Sequence, residues 1–282
     1  MSATEAPIDR GRALAIQQRA MRDWIAMLGG SAPGSRLVEI DGVAAAIVPA
    51  VPNRSIPNSV NYSDARALAD SLDELAAIYD EAGVNAWTVW APEFDREAIA
   101  ALEAAGHSFD GRPLAMVRDL DRFEPPDLGG LDYDAEGEMP TLGEVNDAAY
   151  GFAAGEGMAA LFAERPEGID LRIYRARMDG ETACVLGTID HEPLESAAGA
   201  DCGIYFVATH AGARGRGLAT RLLAAALVEA RGRGCATSSL QASAMGESVY
   251  TGLGYRAYFR LHMYERRKPD ERRKPDERRE PT

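Results

Sequence analysis

Residues 204–229 read IYFVATHAGARGRGLATRLLAAALVE. The opening run Ile204, Tyr205, Phe206 and Val207 is apolar and β-favouring, the pattern of a buried strand. At the other end Leu218, Leu222, Leu223, Leu227 and Val228 recur at helical spacing among alanines that favour helix. Between them lies Arg214-Gly-Arg-Gly-Leu-Ala219, a loop rich in glycine and arginine that runs straight into the helix. Such a loop offers unpaired backbone N–H groups at the positive end of a helix, with guanidinium charge close by. Gly217 has no Cβ, so the backbone there can approach a ligand closely. The chemistry this suits is a phosphate or pyrophosphate.

Three phosphate loops can be compared with it. A P-loop needs Lys-Ser/Thr after its last glycine, and here Gly217 is followed by Leu218-Ala219. A dinucleotide fingerprint needs a third glycine where Thr220 stands, and an acid at the end of the next strand. That strand, Cys235 to Gln241, carries no acid. Instead Arg214-x-x-Gly217-x-Ala219, with a strand before and a helix after, resembles the pyrophosphate loop of GNAT-superfamily acyltransferases, which bind acetyl-CoA. The competing reading is a solvated basic turn that caps a helix. A second segment favours the resemblance: after the strand Ala236 to Gln241 comes Ser243-Ala-Met-Gly-Glu-Ser-Val-Tyr250-Thr-Gly-Leu-Gly-Tyr255. It is similar to the family's next motif, a strand, a short helix bearing a tyrosine, then Leu-Gly-aromatic, in the family's order.

The rest of the chain sets limits. Its 282 residues allow one large or two modest domains. At 46% hydrophobic and 26% charged it has the composition of an ordinary globular protein. A net charge of −14 argues against a nucleic-acid partner. Cys184, Cys202 and Cys235 are widely spaced with no CxxC, which predicts reduced core thiols in a cytoplasmic protein and no metal site. The first dozen residues mix Glu5, Asp9, Arg10 and Arg12 with no apolar run, and no stretch approaches membrane-spanning length, so neither secretion nor membrane insertion is expected.

From the start, Ile8 to Leu28 has the pattern of an amphipathic helix. Strands are expected at Arg36 to Ile40 and Val43 to Val48 around the hairpin signal Asp41-Gly42, then at Ile56 to Tyr62. Ser63 or Asp64 is placed to cap a helix to Ala82. Val84 to Trp90, a helix over Asp95 to Ala105, and a strand at Leu114 to Leu120 follow, before the linker-like Phe123-Glu-Pro-Pro-Asp-Leu-Gly-Gly130. Beyond it come a strand at Leu131 to Asp134, a helix to about Tyr150 opened by the capping box Thr141-x-x-Glu144, a short helix around Met158 to Ala163, and strands at Leu171 to Met178 and Thr182 to Ile189 around Asp179-Gly180. The last strand is expected at Ala257 to Tyr264.

Asp41-Gly42, Gly83-Val84 and Gly106-His107 return as Asp179-Gly180, Gly234-Cys235 and Gly254-Tyr255, each roughly 140–150 residues on, a domain's length. The chain thus resembles a tandem GNAT protein. The fold expected is α+β or α/β, two GNAT-like domains, each a mixed, largely antiparallel sheet flanked by helices. Residues 1–122 would be a degenerate copy, 123–130 a linker, 131–264 the acetyl-CoA-binding domain and 265–282 a disordered tail. The tail, ERRKPD-ERRKPD-ERREPT, holds eight basic and six acidic residues and nothing apolar to bury. The first copy has only Ser63 and Asp64 where the second has its glycine loop, and Leu102 where the second has Tyr250.

The resemblance implies roles. In the family an amine attacks the acetyl-CoA thioester directly, with no acyl-enzyme. Arg214, Gly215, Arg216, Gly217, Leu218, Ala219 and Thr220 would hold the pyrophosphate, and the backbone of Val207, Ala208 and Thr209 the pantetheine arm, with one N–H facing the developing oxyanion. Tyr250 would be the general acid for the departing thiolate, its alternative being a core tyrosine. Asp201, His191, His210 and Glu156 are candidate bases among which the sequence does not choose. The loose stretch Gly151 to Gly157 would lie on the substrate side, with Tyr150 and Phe152 as wall residues. The acceptor would be an amine on a small molecule or peptide. A non-catalytic acyl-CoA-binding or scaffolding protein is the competing function.

Overall fold

The computed structural model describes residues 8–152, 157–195 and 199–269. The first half contains α1 (Arg10–Gly29), β1 (Arg36–Ile40), β2 (Val43–Ile47), β3 (Ser59–Tyr62), α2 (Ala65–Glu81), β4 (Ala86–Pro92), α3 (Arg96–Ala104), β5 (Ser108–Gly111) and β6 (Leu114–Asp119). The second contains β7 (Tyr133–Asp134), α4 (Met139–Tyr150), α5 (Met158–Leu161), β8 (Leu171–Met178), β9 (Glu181–His191), β10 (Ala200–Thr209), α6 (Leu218–Gly232), β11 (Cys235–Ala242), α7 (Glu247–Gly252) and β12 (Arg256–Arg267). The strands form one continuous sheet, ordered β1-β2-β3-β4-β12-β6-β11-β10-β9-β8-β7, with β5 added on β12. Most pairs are antiparallel; β3 with β4 and β10 with β11 are parallel.

The two halves repeat one plan. Each has an antiparallel hairpin, a third strand, a helix, and a parallel fourth strand. The paired glycines take matching left-handed backbones: Gly42 and Gly180 at φ 75° and 85°, Gly83 and Gly234 at 72° and 99°, Gly106 and Gly254 at 86° and 82°. Glycine alone holds such angles without steric cost, which is why it recurs at all six turns.

Neither half closes on itself. β6, the last strand of the first half, pairs with β11 of the second through Thr237↔Asp119 to Ala242↔Leu114. β12, the last strand of the second half, starts against β6 and then crosses into the first half, where Leu261 to Arg267 pair with Pro92 to Ala86 of β4. The two terminal strands are therefore exchanged. α1 packs across the join: Gln17 donates to Met116 O (3.0 Å) on β6 and Leu240 O (3.2 Å) on β11, and accepts from Gln241 (2.7 Å). The 123–130 segment lies against α6, with Arg231 on Phe123 O and Arg221 on Leu128 O.

Three sequence expectations are corrected. The capping box Thr141-x-x-Glu144 does not open α4, which starts at Met139 after Glu138, without a side-chain cap and with Pro140 in its first turn. The fixed φ of proline suits that turn, so the helix begins earlier. The edge strand β5 has no counterpart among the expected strands. The charged tail does not begin at Glu265: β12 continues to Arg267, with Glu265 buried and accepting from Arg267, and Arg267 donating to Asn53 O. Strand exchange gives these polar residues ladder partners that composition does not reveal. The remainder of the charged tail, from Asp270, lies outside the described residues.

The matched positions after Gly106 and Gly254 diverge in polarity. Tyr255 is buried with its hydroxyl 2.7 Å from Ser238 Oγ. His107 is buried edge-on against Trp87, its ring nitrogens without hydrogen-bond partners among the described residues. Burial holds the imidazole near a pKa of about 4, below the ordinary 6.5. A histidine with a depressed folded-state pKa stabilises fully above the unfolded value, and the stability is lost as pH falls from there towards the folded value. Wild type is therefore expected to lose about 1–3 kcal/mol more than His107→Phe between pH 7 and pH 4 in urea unfolding. Equal pH slopes would place the ring in contact with water.

Candidate active site

The parallel pair β10–β11 holds together only at its start. Ala200 to Gly203 pair with Cys235 to Ser239; beyond them β10 pairs only with β9 and β11 only with β6. The two strands splay and leave a cleft between Ile204–Thr209 and the end of β11. A bulge marks the departure. Tyr205 pairs with Gly187 and Ala208 with Val185, so Phe206 and Val207 face one residue of β9. Phe206 sits at φ 54°, a strained angle for a side chain of its size. It is held there by Asn146 of α4, which donates to Phe206 O (3.1 Å), and by edge-on packing of Phe162 at 4.7 Å. Farther along, His210 N donates to Ala183 O on β9 (2.9 Å). Since backbone direction alternates along a strand, Thr209 and Val207 turn to the open side.

At the mouth of the cleft lies the loop from His210 to Gly217. Gly215 and Gly217 are left-handed at φ 73° and 69°, and a Cβ on either would meet nothing within 4 Å. Gly217 is the N-cap of α6 and supplies no side-chain cap, so the first N–H groups of the helix point outward unpaired by any side chain. Leu218 is buried and anchors the helix start, while Ala219 and Thr220 are half-buried. The two arginines divide their work. Arg214 donates through Nε to Thr209 O (3.2 Å) and through Nη2 to Ala149 O, tying the loop to the end of α4; Arg216 is exposed.

Tyr250, on the short helix α7 after β11, is half-buried and stacks edge-on against Tyr255 at 6.0 Å. Its hydroxyl is raised well above the usual tyrosine range by burial first, then by the neighbouring Tyr150 and Cys184. Those neighbours matter, because Cys184 lies opposite Thr209 on β9 and accepts from its hydroxyl (3.2 Å). Tyr250 thus stays protonated through the physiological range. Burial also pushes the Cys184 thiol up to about 11.

The candidate bases separate. Asp201 is buried in the paired part of β10 and β11, its carboxylate accepting from Thr237 (2.7 Å) and Ser239 (2.6 Å). His191 is buried between Asp23 of α1 (2.7 Å) and the Tyr205 hydroxyl (2.9 Å), a contact that joins the two halves. His210 is half-buried at the start of the glycine loop. Glu156 lies outside the described residues, as do Ala153 to Gly155 of the expected substrate-side loop. Tyr150 and Phe152 meet at the rim, rings 6.3 Å apart, and Arg54 of the first half stacks 3.8 Å over Phe152. Neither Asn146 nor Arg54 carries a sequence signal: one is a helix-interior asparagine, the other a lone arginine in a loop of the opposite half.

Residues 139–255 match the family model described as Acetyltransferase (GNAT) family. No curated protein matches the chain. Among solved structures, a GCN5-related N-acetyltransferase from Kribbella flavida is similar over 93% of this chain and 96% of its own, with TM-score 0.61 and 14% identity. A tandem GNAT protein from the clavulanic acid biosynthesis pathway aligns over 93% and 97%, TM-score 0.55, 15% identity. A GCN5-related N-acetyltransferase from Sphaerobacter thermophilus aligns over 93% and 94%, TM-score 0.50, 18% identity. The match to the GNAT acetyltransferase family lies in the second half of the chain, which carries the family domain. The fold as a whole is similar to that of GNAT proteins, a tandem GNAT protein among them, and the matched domain supports acyl transfer in general. No helix among the described residues is long and apolar enough to cross a membrane.

Proposed function

We propose that the second half transfers an acetyl group from acetyl-CoA to the amine of a small molecule or peptide. The observation that carries this is Gly217: an uncapped, left-handed helix start, open to solvent, at the mouth of a splayed parallel pair. A diphosphate fits there because unpaired N–H groups and the helix dipole act together, and because no side chain stands in the way. Gly215 to Thr220 would hold it through their backbone, with Arg216 adding charge from the surface and Arg214 keeping the loop in shape. Val207 and Thr209 would hold the pantetheine arm through the groups that turn into the cleft, with Ala208 fixed between them on β9. An N–H of this bulged segment is suited to the oxyanion that grows as the amine attacks the thioester carbonyl. Tyr250, kept protonated by burial, would give its proton to the departing thiolate. The buried, unpaired Cys184, Cys202 and Cys235 favour a reducing, cytoplasmic setting.

A non-catalytic acyl-CoA-binding protein is the second reading, and the enclosure of Asp201 and His191 in hydrogen bonds is what favours it. Incubation with acetyl-CoA and a broad panel of amines separates the two: thiol release coupled to a specific acetylated product supports the enzyme, and binding without product supports the alternative. Stoichiometry tests the assignment of the site. The first half caps α2 with Asp64, whose Oδ1 accepts from both Arg66 N and Ala67 N at 3.0 Å. A carboxylate thus fills the place a diphosphate would need. Native mass spectrometry under saturating acetyl-CoA is expected to count one ligand per chain. Two specifically bound molecules, the second surviving Gly217→Glu, would make the first half a working acetyl-CoA site.

A further inference from the structure

We infer that the first half holds a binding site of its own, for a small organic cation: an amine with an apolar or aromatic body. The site is the cleft that corresponds to the one described above. β3 and β4 pair only at Ser59↔Thr88 and Val60↔Val89 and then part, β4 continuing along β12. A cavity of about 400 Å³ opens between them, floored by α1, within the size range of pockets that take small ligands.

Its walls differ in kind from those of the second half. Leu14, Met21, Trp90 and Leu261 make the interior apolar, and Phe94 stands exposed at the rim. The Trp90 ring is fixed by donation to Ser59 Oγ (2.8 Å) and by edge contact with Trp24 at 5.8 Å. At the mouth are two carboxylates, Asp64 and Asp95, and no lysine, arginine or histidine is among the described residues that line the cavity. Arg10, outside the lining, stacks 5.9 Å from the Phe94 ring. Each Asp95 oxygen already accepts one hydrogen bond, Oδ1 from Ala98 N (3.1 Å) and Oδ2 from the Tyr62 hydroxyl (2.8 Å). Asp64 receives both of its capping N–H groups on Oδ1, and Oδ2 has no hydrogen bond among the described residues.

This combination selects by charge. The helix start that would attract an anion is neutralised by its own cap, and a second carboxylate stands nearby. An ammonium group gains from Asp64 Oδ2, from the field of Asp95, and from the Trp90 ring, the Phe94 ring being taken by Arg10. An anionic ligand meets like charge at Asp64 and Asp95 and no cationic side chain within the lining. The site stands apart from the acetyl-CoA assignment: it shares no residue with the Arg214–Thr220 loop.

The test uses the full chain, 2-phenylethylammonium as the cationic probe and 2-phenylethanol as its neutral counterpart. Ligand-observed NMR titration is expected to show the ammonium binding at least about tenfold more tightly than the alcohol. Asp64→Asn retains a good helix cap while removing the charge, and is expected to weaken the ammonium about three- to tenfold without affecting the alcohol. Leu14→Trp, which fills the cavity, should abolish binding of both, and Gly217→Glu should change neither. Equal affinity for the two probes, no response to Asp64→Asn and Leu14→Trp, or loss of ammonium binding in Gly217→Glu would each overturn the assignment. Absence of ammonium binding at millimolar concentration would do the same.

Discussion

Gly217→Glu is expected to abolish acetyl-CoA binding, weakening it by more than about 100-fold, or about 3 kcal/mol. Two effects act together. Gly217 is at φ 69°, where any side chain costs on the order of 1 kcal/mol in backbone strain, so some distortion of the loop is inevitable. The carboxylate then lies where the uncapped N–H groups of α6 would meet a diphosphate, and like charges in a partly shielded site repel strongly. Gly217→Ala separates the two contributions. It carries the strain without the charge, and is expected to lose only about tenfold in affinity. Calorimetry with the three proteins reads the result directly. If Gly217→Glu bound acetyl-CoA as wild type does, the ligand would lie elsewhere.

The second large effect is expected at Tyr250. Tyr250→Phe keeps the ring that packs edge-on against Tyr255 and removes only the hydroxyl. Affinity for acetyl-CoA should therefore persist while turnover falls by about 10²–10⁴-fold, the range for a lost general acid. The pH profile offers a further reading. Burial raises the hydroxyl well above the ordinary tyrosine value, so its loss as an acid should leave no inflection near pH 10 in wild type. Unchanged turnover in Tyr250→Phe, with chemistry shown to limit the rate, would make the residue a packing tyrosine only.

Local signals in the sequence read well because they are written in single residues. Six left-handed glycines mark six turns, Asp64 caps α2, and Gly217 opens α6 without a cap. What stayed hidden depends on partners far along the chain. Nothing near Ala257 to Tyr264 says that the strand would cross into the other half, or that Glu265 would be buried at its end. The bulge at Phe206 is equally silent, since phenylalanine is a good strand residue and what holds it out of line, Asn146 and Phe162, lies sixty and forty-four positions away. The cleft of the first half is hidden for a related reason. Its sequence lacks a phosphate loop, and that absence conceals a cavity that depends on how β3 and β4 part.

The exchange of β6 and β12 ties the chain into a fused pseudo-dimer. Were the two halves identical, the arrangement would be a twofold assembly in which each subunit lends its last strand to the other. Joined in one chain, the partners are free to diverge while the mutual loan keeps them together. No cut of the backbone near the 123–130 segment yields two complete parts: one fragment would carry β6 away from β11, and the other would carry β12 away from β4. Each would be left with a bare hydrogen-bonding edge in the middle of its sheet, the kind of edge that recruits foreign strands. The half that carries no phosphate loop is therefore kept by topology as much as by any chemistry of its own.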